Sequence, residues 1–256
     1  MLPVQHREHF FFEKSMNSIA CYDLGRAPYR ETWELQAAIQ KRLIEEKLRR
    51  NKGESSKSSS DVLLFVEHPH VYTLGKSGDA THLLKSDNEL VDLDATYVKI
   101  DRGGDITYHG PGQIVGYPIL DLDRYFTDIH KYLRFLEEVA ISVCADYGIE
   151  AIRIEKLTGV WVNNAKICAF GIKCSRWVTM HGFALNVNTH LDYFGHIVPC
   201  GISDKAVCSL ASLLGHPVDE EEVKGRILHH FSRIFEATIH KEAGLPPEAI
   251  SALQLP

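Results

Sequence analysis

The sequence has no long apolar run, no excess of basic residues and no recognisable export signal. Every apolar run falls well short of the roughly 20 residues that a helix needs to cross a bilayer. The formal net charge is −6, whereas general nucleic-acid binding needs a basic surface. The first residues, MLPVQHREHFFFEKS, include Glu8 and Glu13 and are typical of neither a secretion signal nor a transit peptide. These absences predict a cytoplasmic protein that contacts neither membrane nor nucleic acid.

Cysteine is also scarce, with six residues among 256. Without an export signal this number does not indicate a disulfide scaffold, so we expect reduced thiols. The GxxxxGK[ST] pattern of a phosphate-binding loop is missing. What remains is 45% apolar and 24% charged residues, the balance of a soluble globular chain with one large domain.

Hydrophobic periodicity predicts helices and strands in one mixed domain. Helices are expected from Pro28 to about Arg50, over residues 129–143, and over residues 219–238. Asn163-Asn164 predicts a tight turn between two β-prone arms. Further strand-like runs lie at VLLFVE (62–67), VYTLG (71–75), TYVKI (96–100), QIVGYPIL (113–120), IEAIRI (149–154) and HGFALNV (181–187).

This order predicts an α+β fold with a mixed, largely antiparallel sheet and packed helices. We expect residues 21–240 to form the domain, after an N-terminal extension of residues 1–20 and before a Pro-broken tail of residues 241–256. Within the domain, NKGESSKSSSD (51–61) is rich in Ser and Lys and predicts a mobile loop.

The stretch DRGGDITYHGPGQ (101–113) is the most informative one. Its four glycines let a ligand approach the main chain, and Arg102 offers a positive fork for carboxylate, phosphate or carbonyl oxygen. The alternative is an ordinary glycine-rich turn.

Three later segments each contain a candidate for chemistry. In AKICAFG (165–171), alternation places Lys166, Cys168 and Phe170 on one strand face, and a partly buried lysine could act as a base. In HGFALN (181–186), Gly182 again permits close approach to the backbone. In VPCGI (198–202), a stiff turn exposes the thiol of Cys200, although the turn itself supplies no base. The plain alternatives are a solvated lysine and a buried cysteine.

In this order, RGGDITYHGPGQ, TGVWV, KICAFG, HGFALN and VPCGI resemble the lipoyl (octanoyl) transferases, also called lipoate-protein ligase B. The resemblance extends from about Tyr22 to about Phe235 and includes HPHVYTLG (68–75). It implies the fold of the biotin/lipoate ligase catalytic domain. It also implies transfer of octanoyl from octanoyl-acyl carrier protein to a lysine on lipoyl domains of 2-oxoacid dehydrogenases and the glycine cleavage H protein.

By the same resemblance, Cys200 would form an acyl thioester and Lys166 would act as its acid and base. The acyl site would comprise Arg102, Gly103, Gly104, Asp105, Ile106, Thr107, Tyr108, His109, Ala169, Phe170, Gly171, Gly182, Phe183 and Ala184. The phosphopantetheine belongs to the donor, and we expect a monomer that needs neither ATP nor a metal.

Three alternatives stay open at this point. An ATP-dependent lipoate or biotin ligase shares the implied fold and a strand lysine but has no need for Cys200. A metal hydrolase could draw ligands from His68, His70, His109, His181 and Cys200. A binding module would hold the acylated carrier without covalent chemistry.

Overall fold

The computed structural model describes residues 17–54, 59–198 and 206–249. Its helices are α1 (Tyr29–Asn51), α2 (Asp87–Asp92), α3 (Ile129–Asp146), α4 (Leu210–Leu214) and α5 (Glu220–Phe235). Its strands are β1 (Asn17–Arg26), β2 (Asp61–Glu67), β3 (Val71–Leu74), β4 (Thr96–Lys99), β5 (Ile106–His109), β6 (Gln113–Ile119), β7 (Ile152–Ile154), β8 (Leu157–Val162), β9 (Ala165–Ser175), β10 (Val178–Asn186), β11 (Ala206–Val207) and β12 (Ala237–Lys241).

Most strands join one mixed sheet in the order β12-β1-β2-β6-β10-β9-β8-β7, with β11 added beside β9. The central pairs from β2 through β7 are antiparallel, whereas β12 and β2 both run parallel to β1. A smaller sheet has the order β4-β3-β5. The predicted α+β fold with a mixed, largely antiparallel sheet is therefore confirmed.

The main sheet is covered by helices on both faces, and β2 shows how the sequence specifies this. Because successive side chains of a strand alternate between faces, Val62, Leu64 and Val66 pack toward α1, while Leu63 and Phe65 pack toward α3 and α5. A strand buried on both faces is apolar throughout rather than alternating. The run VLLFV therefore indicates a central position in the sheet.

The two long helices on one face begin at aspartate caps. Asp128 accepts hydrogen bonds from the main-chain N–H groups of residues 130 and 131, and Asp219 does the same for residues 221 and 222. The predicted apolar stripe of α3 is confirmed, since Leu136, Ala140 and Val143 are buried in the main core.

The smaller sheet packs against α2 and a short 3₁₀ turn, Leu191–His196, through a separate apolar cluster. Tyr193 of this turn stacks on the ring of His70 with a centroid separation of 4.0 Å. The Tyr72 hydroxyl bonds to the Tyr193 carbonyl oxygen and lies 2.8 Å from His196 Nδ1. These contacts fix the chain that leads toward VPCGI.

The structure also corrects the sequence interpretation at several places. Residues 17–26 form strand β1, in which Cys21 is buried, and residues 237–241 form strand β12 where we expected helix and tail. The predicted loop of residues 51–61 is too long at both ends. Asn51 is the last residue of α1, and the fully buried Asp61 is the first residue of β2. Residues 55–58 of the Ser/Lys-rich stretch are outside the described ranges.

Among the helices of the described ranges, none combines the length and the apolarity needed to cross a membrane.

Candidate active site

A cavity of about 570 Å³ lies between the two sheets, within the size range of small-molecule sites. Its wall is formed by β5 and the loop before it, by β6 and β10, and by the hairpin β8–β9. The segments separated by tens of residues in the sequence are therefore brought to one place.

All but one of the residues predicted to bind substrate line this cavity. They are Arg102, Gly103, Gly104, Asp105, Ile106, Thr107, His109, Ala169, Phe170, Gly171, Gly182, Phe183 and Ala184. The exception is Tyr108, which is fully buried in the core of the smaller sheet and whose hydroxyl bonds to His70 Nδ1 at 2.7 Å. Strand alternation explains this, because Thr107 and His109 face the cavity and Tyr108 faces the opposite side.

Arg102 is a buried arginine that organises its own loop. One terminal nitrogen donates to the Gly103 carbonyl oxygen at 2.9 Å, and the other donates to the carbonyl oxygens of Thr73 and Asp105 at 3.0 and 2.8 Å. Gly171 lies so close that a Cβ there would sit 2.6 Å from Arg102 Cδ. The fork that the sequence suggested for a ligand thus holds the glycine loop against β3 and β9.

Asp105 connects this loop to the segment that precedes VPCGI. Its Oδ2 lies 2.6 Å from His82 Nδ1, and its Oδ1 accepts the Asp79 N–H at 3.2 Å. The carbonyl oxygen of His82 in turn accepts the N–H of Val198 at 2.9 Å. His82 therefore connects the glycine-rich loop to the start of VPCGI.

A chain of side-chain hydrogen bonds fixes the orientation of His109. Asn186 donates to the Cys208 carbonyl oxygen, and its own oxygen accepts from Gln113 Nε2, both at 2.9 Å. Gln113 Oε1 is then left to accept the Nδ1 proton of His109 at 2.8 Å. This series of hydrogen bonds ends on the Cys208 carbonyl oxygen, which can only accept. His109 therefore carries its proton on Nδ1 and keeps Nε2 as an acceptor.

Lys166 lines the cavity, but the simple alternation expected for its strand is wrong. Ile167 and Cys168 are both fully buried in the main core, while Lys166 and Ala169 line the cavity. The pairing of β9 with β8 shifts between Cys168, which faces Val160, and Lys166, which faces Trp161. One extra residue on β9 forms a β-bulge there, which turns Lys166 to the cavity without exposing Cys168.

Cys200 lies outside the described residues, as does the rest of 199–205. The chain on both sides of this gap reaches the cavity, since Phe194 and Ala206 line it. On the downstream side, Val207 pairs with Lys166 in parallel β11–β9, and the Cys208 N–H donates to the Lys166 carbonyl oxygen at 3.0 Å. The strand that follows VPCGI is thus bonded to the strand that carries Lys166.

His181 forms part of the cavity wall and adopts φ +62°, an uncommon value for a residue other than glycine. The strand opposite contains Pro118, which has no N–H to donate, and regular β10–β6 pairing begins only at Phe183. The side chain donates Nε2–H to Asp101 Oδ1 at 3.0 Å. Hydrogen bonds from Lys173 and His181 outweigh the effect of burial and hold the pKa of Asp101 below its ordinary value.

His68, His109 and His181 are buried and neutral. Burial lowers the pKa of His68 and of His181 from 6.5 to about 4, and it lowers the pKa of His109 well below 6.5. Within residues 17–54, 59–198 and 206–249, no group of three or more His, Cys, Asp or Glu side chains is arranged to hold a metal ion.

We expect these neutral histidines to make the protein less stable as the pH falls from 6.5 toward 4. Unfolding frees each histidine to bind a proton near pH 6.5, whereas folded His68 and His181 bind one only near pH 4. The free energy of unfolding should therefore fall by up to about 1.4 kcal/mol per pH unit for each of them. Burial raises the pKa of Asp61 to about 6, which gives the opposite slope in part of this window.

The measurement is urea unfolding at pH 7, 6 and 5 of the wild type and of His68→Asn. Because Asp61 is present in both proteins, the comparison isolates the histidine. The variant should show a slope shallower by about 1 kcal/mol per pH unit. Equal slopes would contradict a neutral, buried His68.

Several residues of the cavity wall were not predicted from the sequence. Among them, Trp161 could have been predicted from the position of the hairpin turn. A two-residue turn at Asn163-Asn164 pairs residue 162 with 165 and residue 161 with 166, as the structure shows. Tyr29, Gln113, Tyr117 and Asn186 line the cavity from elements that approach only in three dimensions.

Comparison with known proteins identifies what this arrangement resembles. Residues 28–232 match the family described as the lipoyl protein ligase A/B catalytic domain. An octanoyltransferase of Flavobacterium johnsoniae is 55% identical over 227 residues, which covers 86% of this chain and 98% of that protein. An octanoyltransferase of Bacteroides thetaiotaomicron is 48% identical over 217 residues, which covers 83% and 93%.

Solved structures show the same fold at low sequence identity. A lipoate-protein ligase A crystallised with ATP superposes with a TM-score of 0.73 at 15% identity and covers 93% of both chains. The bipartite lipoate protein ligase of Thermoplasma acidophilum gives a TM-score of 0.72 at 16% identity and covers 93% of this chain and 91% of that one. The implied lipoate ligase fold is confirmed.

Proposed function

The chain belongs to the lipoyl protein ligase A/B catalytic domain family and within it to the octanoyltransferases, and from this premise we propose that it transfers octanoyl from octanoyl-acyl carrier protein to a lipoyl-domain lysine through a Cys200 thioester. As an octanoyltransferase it is an acyl-transferring enzyme of protein lipoylation. The donor, the thioester and the roles of Cys200 and Lys166 are the proposal.

The observation that carries this proposal is the position of Lys166 in the cavity wall, with the strand that follows Cys200 bonded to its own strand. A free cysteine has a pKa near 8.5, so at neutral pH its thiol needs a neighbouring base. Six peptide bonds link Cys200 to Ala206, which lines the same cavity as Lys166. The distance between the two reactive groups is thereby limited by the chain.

In the first half-reaction, the amine of Lys166 takes the thiol proton of Cys200, and the thiolate attacks the octanoyl thioester carbonyl. The oxyanion that forms needs preorganised donors, and the candidates are main-chain amides around Gly171 and Gly182, which both line the cavity. The carrier thiolate then leaves and takes the proton from the Lys166 ammonium. The products are octanoyl-Cys200 and free carrier thiol.

In the second half-reaction, a lysine amine of the acceptor domain attacks the octanoyl-Cys200 carbonyl. Its pKa is near 10.4, so it arrives mostly protonated; it loses one proton to solvent before attack and a second one during attack. Lys166 takes the second proton and returns it to the departing Cys200 thiolate. One base therefore serves both half-reactions, and the enzyme regains its starting state.

The apolar part of the cavity suits an acyl chain. Val115, Leu133, Phe170 and Phe183 contribute aliphatic and aromatic surface to the wall. Burying about seven methylene and methyl groups at roughly 0.8 kcal/mol each contributes about 5 to 6 kcal/mol to binding. Such a gain is enough to hold the acyl end while the thioester is positioned.

The rival function is an ATP-dependent ligase, because a lipoate-protein ligase A shares the fold. A ligase must first activate a free acid, whereas an octanoyl thioester is already activated and gives an amide downhill. We therefore expect this chain to acylate a lipoyl domain with octanoyl-acyl carrier protein and no ATP. With free octanoate plus ATP and magnesium, the rate should fall to the background without enzyme.

The measurement is the mass of the lipoyl domain after incubation with each donor, with a lysine-to-alanine acceptor as control. Acylation that depends on ATP and proceeds from free octanoate would assign the chain to the ligases instead. Binding of the carrier without any acylated acceptor would support a non-enzymatic module. A cytoplasmic location, a monomeric state and the 2-oxoacid dehydrogenase and H-protein acceptors remain predictions.

A further inference from the structure

Trp161 is a buried tryptophan that lies directly across the hairpin from Lys166. The two residues are cross-strand partners of β8 and β9. The Lys166 Nζ stands over the indole ring, 4.7 Å from its centroid, which is within the range of a cation–π contact. Trp161 is only 2% exposed and lines the cavity. The ammonium group therefore meets an aromatic face from which bulk water is largely excluded.

The space for this contact depends on Gly159. This residue has φ +142°, and a Cβ on it would lie 3.0 Å from Lys166 Cε and 3.2 Å from Trp161 Nε1. The Gly159 N–H donates to Oε1 of Glu137 at 3.3 Å, and Glu137 is a fully buried carboxylate. A missing side chain and an anchored amide thus form a slot for the lysine stem.

The slot is stabilised from the helix beneath it. Oε2 of Glu137 accepts a hydrogen bond from Arg153 Nε at 2.9 Å and forms an ion pair with Arg134 at 2.8 Å. Lys156 is a further charged residue that lines the cavity. A change confined to the ring of Trp161 leaves all of them in place.

An aromatic face attracts an ammonium ion and gains little from a neutral amine. When Lys166 takes the proton of the Cys200 thiol, the S–H bond breaks, an N–H bond forms, and the lysine changes from the neutral to the attracted state. We propose that Trp161 is a positioning residue that stabilises the Lys166 ammonium and so increases the fraction of Cys200 present as thiolate. This inference rests on the proposed function, because it requires the Cys200 and Lys166 pair.

The test replaces tryptophan by its mono-, di- and trifluorinated analogues during expression. Fluorine withdraws electron density from the ring and weakens the cation–π attraction with little change in ring size. The readout is the rate of Cys200 alkylation by iodoacetamide at pH 7, measured on the Cys200 peptide by mass spectrometry. The rate should fall stepwise with each fluorine, by about two- to tenfold over the series.

Trp161→Phe provides the matched control. The chain contains three tryptophans, so in this variant the analogues enter only Trp33 and Trp177. The variant should react more slowly than the wild type, and its rate should not change along the fluorine series. A structural role of the indole alone would not produce a stepwise dependence in one background and none in the other.

Two further outcomes separate the inference from the function on which it rests. A flat series in the wild-type background, with Cys200 still acylated by octanoyl-acyl carrier protein, overturns the role of Trp161 and leaves the proposed function intact. If the donor does not acylate Cys200 in the unmodified enzyme, the proposed function fails and the inference fails with it.

Discussion

Replacing Cys200 by serine is expected to abolish the covalent octanoyl-enzyme and to reduce acyl transfer to the background rate. Serine preserves the size of the side chain, but its hydroxyl is far less acidic than a thiol. Lys166 could not keep it deprotonated at neutral pH, so the nucleophile would be lost. The measurement is the intact mass of the enzyme after mixing with octanoyl-acyl carrier protein, with acceptor acylation followed in parallel.

The other cysteines allow a matched control for this experiment. Each of Cys21, Cys144, Cys168, Cys174 and Cys208 is a free thiol. Burial raises the pKa of every one of them, for example that of Cys208 to about 11. Cys174→Ser removes the one described thiol that is only half-buried and should leave both the mass shift and turnover unchanged. A full mass shift on Cys200→Ser would remove Cys200 from the role of nucleophile.

The central part of the fold was predictable because its sequence signals are local. VLLFV is apolar on both faces of a strand, and Asn163-Asn164 forms the expected two-residue hairpin. Strands β12 and β1, at one edge of the sheet, were missed for a physical reason. Strand β12 pairs in parallel with β1 across most of the chain, and such a long-range pairing leaves no turn signal between its two strands.

The site was predictable as a set of segments and not as a geometry. Glycines and strand patterns indicated candidate binding stretches, and three of them, residues 101–113, 165–171 and 181–186, contribute to the wall of one cavity. The β-bulge at Ile167, which turns Lys166 to the cavity while Cys168 stays in the core, has no signature in its own sequence. His82 was missed as well, because only the folded chain brings it to Asp105.

The environment of Lys166 in the structure differs from the one that its sequence position predicts. From its position just after a turn, Lys166 would ordinarily be a solvated surface residue. In the structure it is held by Trp161, Gly159 and the pairing with Val207. A lysine held in this way cannot be exchanged for a nearby rim lysine such as Lys156, which is 88% exposed.

Lys166→Ala should lower acyl transfer by about 10²- to 10⁴-fold, the usual contribution of a positioned acid or base. Folding should be retained, because the truncation removes a cavity-lining group and leaves the β9 backbone bonds to β8, β10 and β11 in place. The measurement is single-turnover acylation of a lipoyl domain, with circular dichroism and urea unfolding to check the fold. Lys156→Ala is the matched control and should lose less than about threefold, since an exposed charge is largely screened.

Lys166→Arg separates the two tasks assigned to this lysine. Arginine keeps a positive charge beside the ring of Trp161 but stays protonated in proteins, so it can stabilise a thiolate and cannot accept a proton. We therefore expect Cys200 alkylation at neutral pH to be largely retained, while acylation of the acceptor lysine is lost as severely as in Lys166→Ala. Near-normal acyl transfer in either Lys166 variant would contradict the proton-transfer role, and loss of alkylation in Lys166→Arg would show that charge alone does not sustain the thiolate.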